Sequence, residues 1–138
     1  MQIRELDLKE LYTVYDVVKQ LRTQLSYKEF EDLIYDMRYM DYKMIGIMDG
    51  DILISYAGVA VQTNLYHKRH LYVFDLVTDV KYRGQKYGEM MLEYLIDYAK
   101  VGMCENIVLS SSFEKEDAHR FYESHDFCKK SFVFLKSL

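Results

Sequence analysis

The residues best suited to do chemistry lie between His70 and Glu89, HLYVFDLVTDVKYRGQKYGE. Arg83 offers a fork of N–H donors that matches a phosphate or carboxylate. Gly84 and Gly88 let an anion approach the backbone closely, and Lys81 and Lys86 add positive charge. Leu71 to Thr78, ahead of this group, is apolar, aromatic and β-branched, which predicts a buried strand. Asp79 to Gln85 reads as a basic turn. Behind it Tyr87, Met90, Met91, Tyr94, Leu95 and Tyr98 recur at the spacing of one helical face. Strand, glycine-bearing basic turn and helix together can hold a phosphate, because the first amides of a helix lack internal partners and carry the positive end of its dipole. Lys68, Arg69 and His70 extend the positive cluster in a chain whose net charge is −4.

The spacing around that turn is also recognisable. Arg83-Gly84-Gln85-Lys86-Tyr87-Gly88 resembles the acyl-CoA signature Gln/Arg-x-x-Gly-x-Gly/Ala of the GNAT superfamily of N-acetyltransferases. Arg83 takes the first position and Gly88 the last, while Lys86 stands where glycine is usual. The resemblance implies acetyl-CoA as cosubstrate, its phosphates held by Arg83, Gly84, Gln85, Lys86, Tyr87, Gly88 and Glu89. It also implies that the pantetheine arm lies along the main chain of Leu76, Val77 and Thr78 as an added strand. A lysine at the fourth position fits if the backbone there is helical; a position that needs the absent Cβ weakens binding.

A second segment, Asp117 to Phe127, is similar to another part of the same family, where Ala-x-x-Phe/Leu-Tyr precedes Gly-Phe. Ala118, Phe121 and Tyr122 match, and Asp126 replaces the glycine. In the family this tyrosine is the general acid, which makes Tyr122 the catalytic candidate. The chemistry is consistent: amine attack on a thioester expels a thiolate whose conjugate acid has a pKa of about 8.5, and a phenol within reach can protonate it. The attacking amine must be neutral, so a base is needed for a lysine-like amine. Asp75 on the central strand is the candidate, with Glu31, Asp32 and Asp36 behind it and His119 and His125 flanking Tyr122. The implied mechanism is direct transfer in a ternary complex. Cys104 and Cys128 occupy no motif position.

The elements that must carry these groups read in order as follows. Gln2 to Leu6 is a short strand, and Asp7 caps a helix with Leu8, Leu11, Tyr15, Val18 and Leu21 inward. Ser26 to Glu29 has the form of a capping box for a second helix to about Tyr39, facing inward through Phe30, Leu33, Ile34 and Met37. Tyr42 to Met48 and Asp51 to Val61 form a hairpin about Asp49-Gly50. Gln62 to Arg69 is a loop. The helix after the basic turn stops at Gly102, suited to a left-handed cap. Asn106 to Ser112 is a strand, Asp117 to Ser124 a helix, and Phe127 to Leu135 a closing strand. This predicts an α/β fold of the GNAT type: a mixed, mostly antiparallel sheet of six to seven strands flanked by about four helices.

Composition bounds the rest. The 138 residues suffice for one domain, 1–138, with half of them hydrophobic and 29% charged. The acidic balance speaks against nucleic-acid binding. No apolar run is long enough to span a membrane and no secretory signal is visible, so a cytoplasmic location is expected. The cysteines have no metal-ligand spacing, and no metal is expected. The expected partner is a small-molecule or peptide amine; homodimers are common in families that this chain resembles, but no stretch of the sequence identifies an interface. Glu29, Glu31, Asp32 and Asp36 suggest an acidic rim for a cationic acceptor. A catalytically silent acyl-CoA-binding or regulatory domain of the same fold is the alternative. A dinucleotide site is not supported, since Gly84 and Gly88 do not form Gly-x-Gly-x-x-Gly.

Overall fold

The computed structural model describes residues 1–138. They divide into two compact units, Met1–Val108 and Leu109–Leu138. Five strands form one sheet in the order β1-β2-β3-β4-β5: β1 (Gln2–Leu6), β2 (Lys43–Asp49), β3 (Ile52–Asn64), β4 (Lys68–Thr78) and β5 (Asn106–Leu109). The first three pairings are antiparallel. β4 and β5 are joined by the crossover helix α3 (Tyr87–Val101), the kind of connection a parallel pair requires. The other helices are α1 (Leu11–Val18), α2 (Tyr27–Met37) and, in the second unit, α4 (Glu116–Ser124).

The helix starts are built by the chemistry expected of them. Asp7 and Glu10 form one capping box, ahead of a single 3-10 turn, and Ser26 and Glu29 form another at α2. α1 and α2 bury Leu11, Val14, Val17, Val18, Phe30 and Ile34 against Leu6, Met44, Met48, Leu53, Tyr56 and Val77 of the sheet. Leu33 of α2 is exposed instead of inward. Alternation along the strands turns Ile45, Ile47, Ile54, Leu71 and Val73 to the opposite face, and α3 packs on β3 and β4. The buried stripe of α3 is Met91, Leu92, Leu95 and Ala99. It is rotated from the predicted face because the tyrosines sit half-exposed along its border, where ring and hydroxyl are both accommodated.

The strand boundaries depart from expectation in four places. Gln62 to Arg69 is mostly strand, since β3 and β4 pair as far as Asn64 and Lys68 around a three-residue loop. Asn64 Oδ1 accepts from the amides of Tyr66 and His67, and Lys68 adopts a left-handed φ of 58°, the geometry such a loop needs. The β2–β3 loop is Gly50-Asp51, one residue later than expected, with Gly50 at φ 60°. β5 stops at Leu109. Phe127 to Leu135 forms no strand, so the sheet has five strands rather than six or seven. Phe132, Val133, Phe134 and Leu135 suit a strand by type, but a strand exists only through pairing; they form no ladder and stand exposed. The end of α3 also differs: Gly102 has φ −77°, and Met103 takes the left-handed position at 59°.

Candidate active site

The first unit carries β4, the basic turn and the start of α3. Arg69 O accepts from Glu105 N at 2.7 Å, so β5 begins near the start of β4. Four residues of β5 are used up well before Leu76. Leu76, Val77 and Thr78 therefore run on beyond β5 with their outer main-chain edge outside its ladder. Their inner edge is fixed: Ser55 Oγ donates to Val77 O at 3.2 Å and lies 3.0 Å from Thr78 Oγ1, while Asp79 N donates to Ile54 O.

The turn that follows has the features of an anion cradle. Arg83 is exposed, and its Nε donates to Thr78 O at 3.0 Å, which ties the guanidinium to the strand end and leaves its Nη groups outward. Gly84 has φ 78°, with open space where a Cβ would sit. Lys86, at the N-cap of α3, is also left-handed, with φ 68° and ψ 18°. No side chain caps this helix; α1 and α4 are also uncapped, and only α2 has a side-chain cap, from Ser26. The early amides of α3 thus lack a side-chain acceptor, and a phosphate is a group chemically suited to supply one. Lys86 does not have the ordinary helical torsions in which lysine is at ease; it holds a glycine-like conformation at a cost of about 1–2 kcal/mol. Lys81, Arg83 and Lys86 share the turn. Lys68, Arg69 and His70 do not: they lie at the other end of β4, roughly 26 Å away at the rise of a strand. There Arg69 Nε donates to Gly102 O and His70 is buried.

Asp75 belongs to a side-chain network that the sequence does not announce. The β3–β4 register slips between Gly58 and Val59, which pair with Asp75 and Val73, so Phe74 is the extra residue of a bulge. Arg22, in the connection between α1 and α2, closes it: Nη2 donates to Phe74 O at 2.7 Å and Nε to Asp75 Oδ1 at 3.0 Å. Tyr42 donates to Asp75 Oδ2 at 2.7 Å and accepts from the Tyr56 hydroxyl at 2.7 Å. The Tyr42 ring runs over Gly58, where a Cβ would come within 1.7 Å of its hydroxyl oxygen. Burial, with the neighbouring hydroxyl and carboxylate, pushes Tyr42 well above the usual tyrosine range; burial first also raises Tyr56. Both phenols stay neutral donors.

A model of the acetyltransferase (GNAT) family matches residues 5–127. The chain belongs to the GNAT acetyltransferase family. Among its relatives it is 27% identical to the uncharacterised N-acetyltransferase YhdJ of Bacillus subtilis, across 99% of this chain and 98% of that protein. It is 25% identical to the aminoalkylphosphonate N-acetyltransferase of Salmonella typhimurium, across 99% of this chain and 91% of that one. The fold is shared with a putative acetyltransferase from Agrobacterium tumefaciens (TM-score 0.84, 18% identity, full coverage of both). It is also shared with the aminoglycoside N-acetyltransferase AAC(6')-Iy in complex with CoA (TM-score 0.85, 11% identity, 99% and 93% coverage).

Within this GNAT chain the remaining candidates fall as follows. Tyr122 lies in the second unit on α4, half-buried, its ring 5.6 Å from Phe121 and 5.7 Å from Phe127. Its carbonyl accepts from His125 N and Phe127 N, and Asp126 between them has φ 68°, the left-handed turn for which glycine is usual. His119 Nε2 donates to Ser112 O and His125 Nδ1 to Phe121 O, so each histidine has a backbone role. The expected acidic rim on α2 is largely engaged. Glu29 accepts from Ser26 N, Asp32 pairs with Lys28, and Glu31 accepts from the Tyr27 hydroxyl.

Proposed function

We propose that this chain transfers an acetyl group from acetyl-CoA to the primary amine of a small molecule or peptide, as a single catalytic domain over residues 1–138. One observation carries the reading. The N-terminus of α3 is uncapped and approached by Arg83, Gly84 and Lys86 directly after the outer edge of Leu76–Thr78. In this reading that edge receives the pantetheine arm, while Arg83, Lys86 and the amides of the turn through Gly88 and Glu89 receive the phosphates. The amine nitrogen attacks the thioester carbon, and the C–S bond breaks. Asp75 is the candidate to take the proton lost by nitrogen, and Tyr122, by its place in the family-like motif, is the candidate to donate its hydroxyl proton to the departing thiolate. No acyl-enzyme forms.

The test is thiol release from acetyl-CoA across polyamines, amino acids, aminoglycosides, aminoalkyl phosphonates and short peptides, with Tyr122→Phe alongside the wild type. A general acid contributes on the order of 100-fold or more. Tyr122→Phe should therefore lower kcat by at least about tenfold with acetyl-CoA affinity unchanged. Negligible, amine-independent release by both proteins would remove the enzyme reading and leave an acyl-CoA-binding domain.

A further inference from the structure

Arg22 and Asp75 form an ion pair of unequal exposure: 46% of the Arg22 side chain is accessible against 14% of Asp75. The pair is rigid. Arg22 is bound twice to β4, at the carboxylate and at the bulge carbonyl. Its backbone is tied to α1 by Arg22 N donating to Val18 O at 2.8 Å. Asp75 is held from the other side by Tyr42, itself held by Tyr56. The two bonds use two of the five guanidinium N–H groups, so three are left to face a ligand. Each carboxylate oxygen has accepted one hydrogen and has a lone pair left. A fixed cation and a fixed anion thus stand side by side, one residue before the main chain of Leu76.

We propose that this pair is an acceptor clamp, and that the acceptor is a small zwitterion with an amine and an acidic group on the same or neighbouring carbons. The inference rests on the acetyltransferase reading above. The ammonium of the incoming acceptor donates to Asp75, and its carboxylate or phosphonate accepts from the outward Arg22 N–H groups. Hydrogen-bond lengths and the width of a guanidinium put the two bound atoms on the order of 3–5 Å apart, the span of an α- or β-amino acid or a short aminoalkyl phosphonate. A long cationic polyamine fits poorly, because its second charge would meet Arg22. The anion also favours Arg22 as a fork over a lysine in the same place.

The experiment compares glycine, β-alanine and aminomethylphosphonate with methylamine and propylamine, in wild type and in Arg22→Gln and Arg22→Lys. The clamp requires that wild type use at least one zwitterion with kcat/KM at least tenfold above its neutral-tailed counterpart. It also requires that Arg22→Gln erase most of that preference through KM, and that Arg22→Lys recover it only partly. The Kd for acetyl-CoA, measured by titration, should be the same in all three proteins. Equal use of both amine classes by wild type, or an equal fall for both classes in Arg22→Gln, overturns the clamp and leaves the acetyltransferase reading standing. Failure of all five amines to release thiol overturns the clamp, and the acetyltransferase reading falls with it only if the wider amine panel also fails.

Discussion

Lys86 is the position where a single substitution separates backbone strain from charge. Its φ of 68° and ψ of 18° lie in the left-handed region, which costs a residue with a Cβ about 1–2 kcal/mol and glycine almost nothing. Glycine gives back about 0.4–1 kcal/mol through the extra freedom of its unfolded chain. Lys86→Gly should therefore be more stable than Lys86→Ala by roughly 0.7 kcal/mol, since the two differ only in the Cβ and both lack the ammonium. With a urea slope of about 2 kcal/mol/M the midpoint moves by roughly 0.3 M. The chain has 14 tyrosines and no tryptophan, so tyrosine fluorescence or far-ultraviolet circular dichroism follows the transition. Acetyl-CoA titration of the same pair reports the charge: both variants should bind more weakly than wild type and about equally. An alanine variant as stable as the glycine one, or more so, would refute the left-handed N-cap and the account of the turn built on it.

Arg83→Ala should weaken acetyl-CoA binding by roughly 1–3 kcal/mol, the loss expected for a charged hydrogen bond, with the deficit shrinking in high salt; unchanged affinity by calorimetry would contradict its place in the cradle. Gly58→Ala puts a Cβ 1.7 Å from a pinned Tyr42 hydroxyl, and overpacking with loss of that bond should destabilise by roughly 2–4 kcal/mol, read as a lower urea midpoint. Tyr42 has a raised pKa when folded and an ordinary one, near 10, when unfolded. Its contribution is fully present below pH 10 and is lost as pH rises beyond it. Tyr42→Phe should accordingly lose stability at neutral pH and show a shallower decline above pH 10; identical slopes would place the titrating group elsewhere.

What was legible in the sequence was local. Asp7, and Ser26 with Glu29, declare their helix starts locally, and Gly50 declares a hairpin turn; the pairing of Asp7 with Glu10 emerges only in the structure. The α3 face was misplaced by about one position because tyrosine counts as apolar in a pattern yet settles at a border with its hydroxyl in water. Gln62 to Arg69 is expected as a loop because Gln62, Thr63 and Arg69 look like loop residues, while an exposed strand end tolerates them. Phe127 to Leu135 erred the other way. Its strand-like composition reports fitness for a pleated surface, and fitness does not provide a neighbour to pair with.

The site divides along the same line. The residues of the proposed phosphate turn stand together in the sequence, since every part of it lies within Thr78 to Glu89, while the left-handed state of Lys86 needed a structure. Asp75 could be nominated by its place on the strand, but its partners could not. Arg22 lies 53 residues away and Tyr42 33. What joins them is a bulge at Phe74 and the missing Cβ of Gly58. Neither leaves a periodic trace: a bulge adds one residue to a strand, and a glycine in a strand reads as weakness. Here both have a cause. The bulge turns out a carbonyl for Arg22, and the glycine opens the lane by which Tyr42 reaches the carboxylate. A carboxylate fixed on two sides by a guanidinium and a phenol is aimed, as an acceptor's nitrogen requires. If that is the purpose of the bulge, Arg22 and Gly58 should fail differently: Arg22→Gln in KM for acidic amines, Gly58→Ala in stability first. A shared stability loss with no change in acceptor preference would reduce the network to packing.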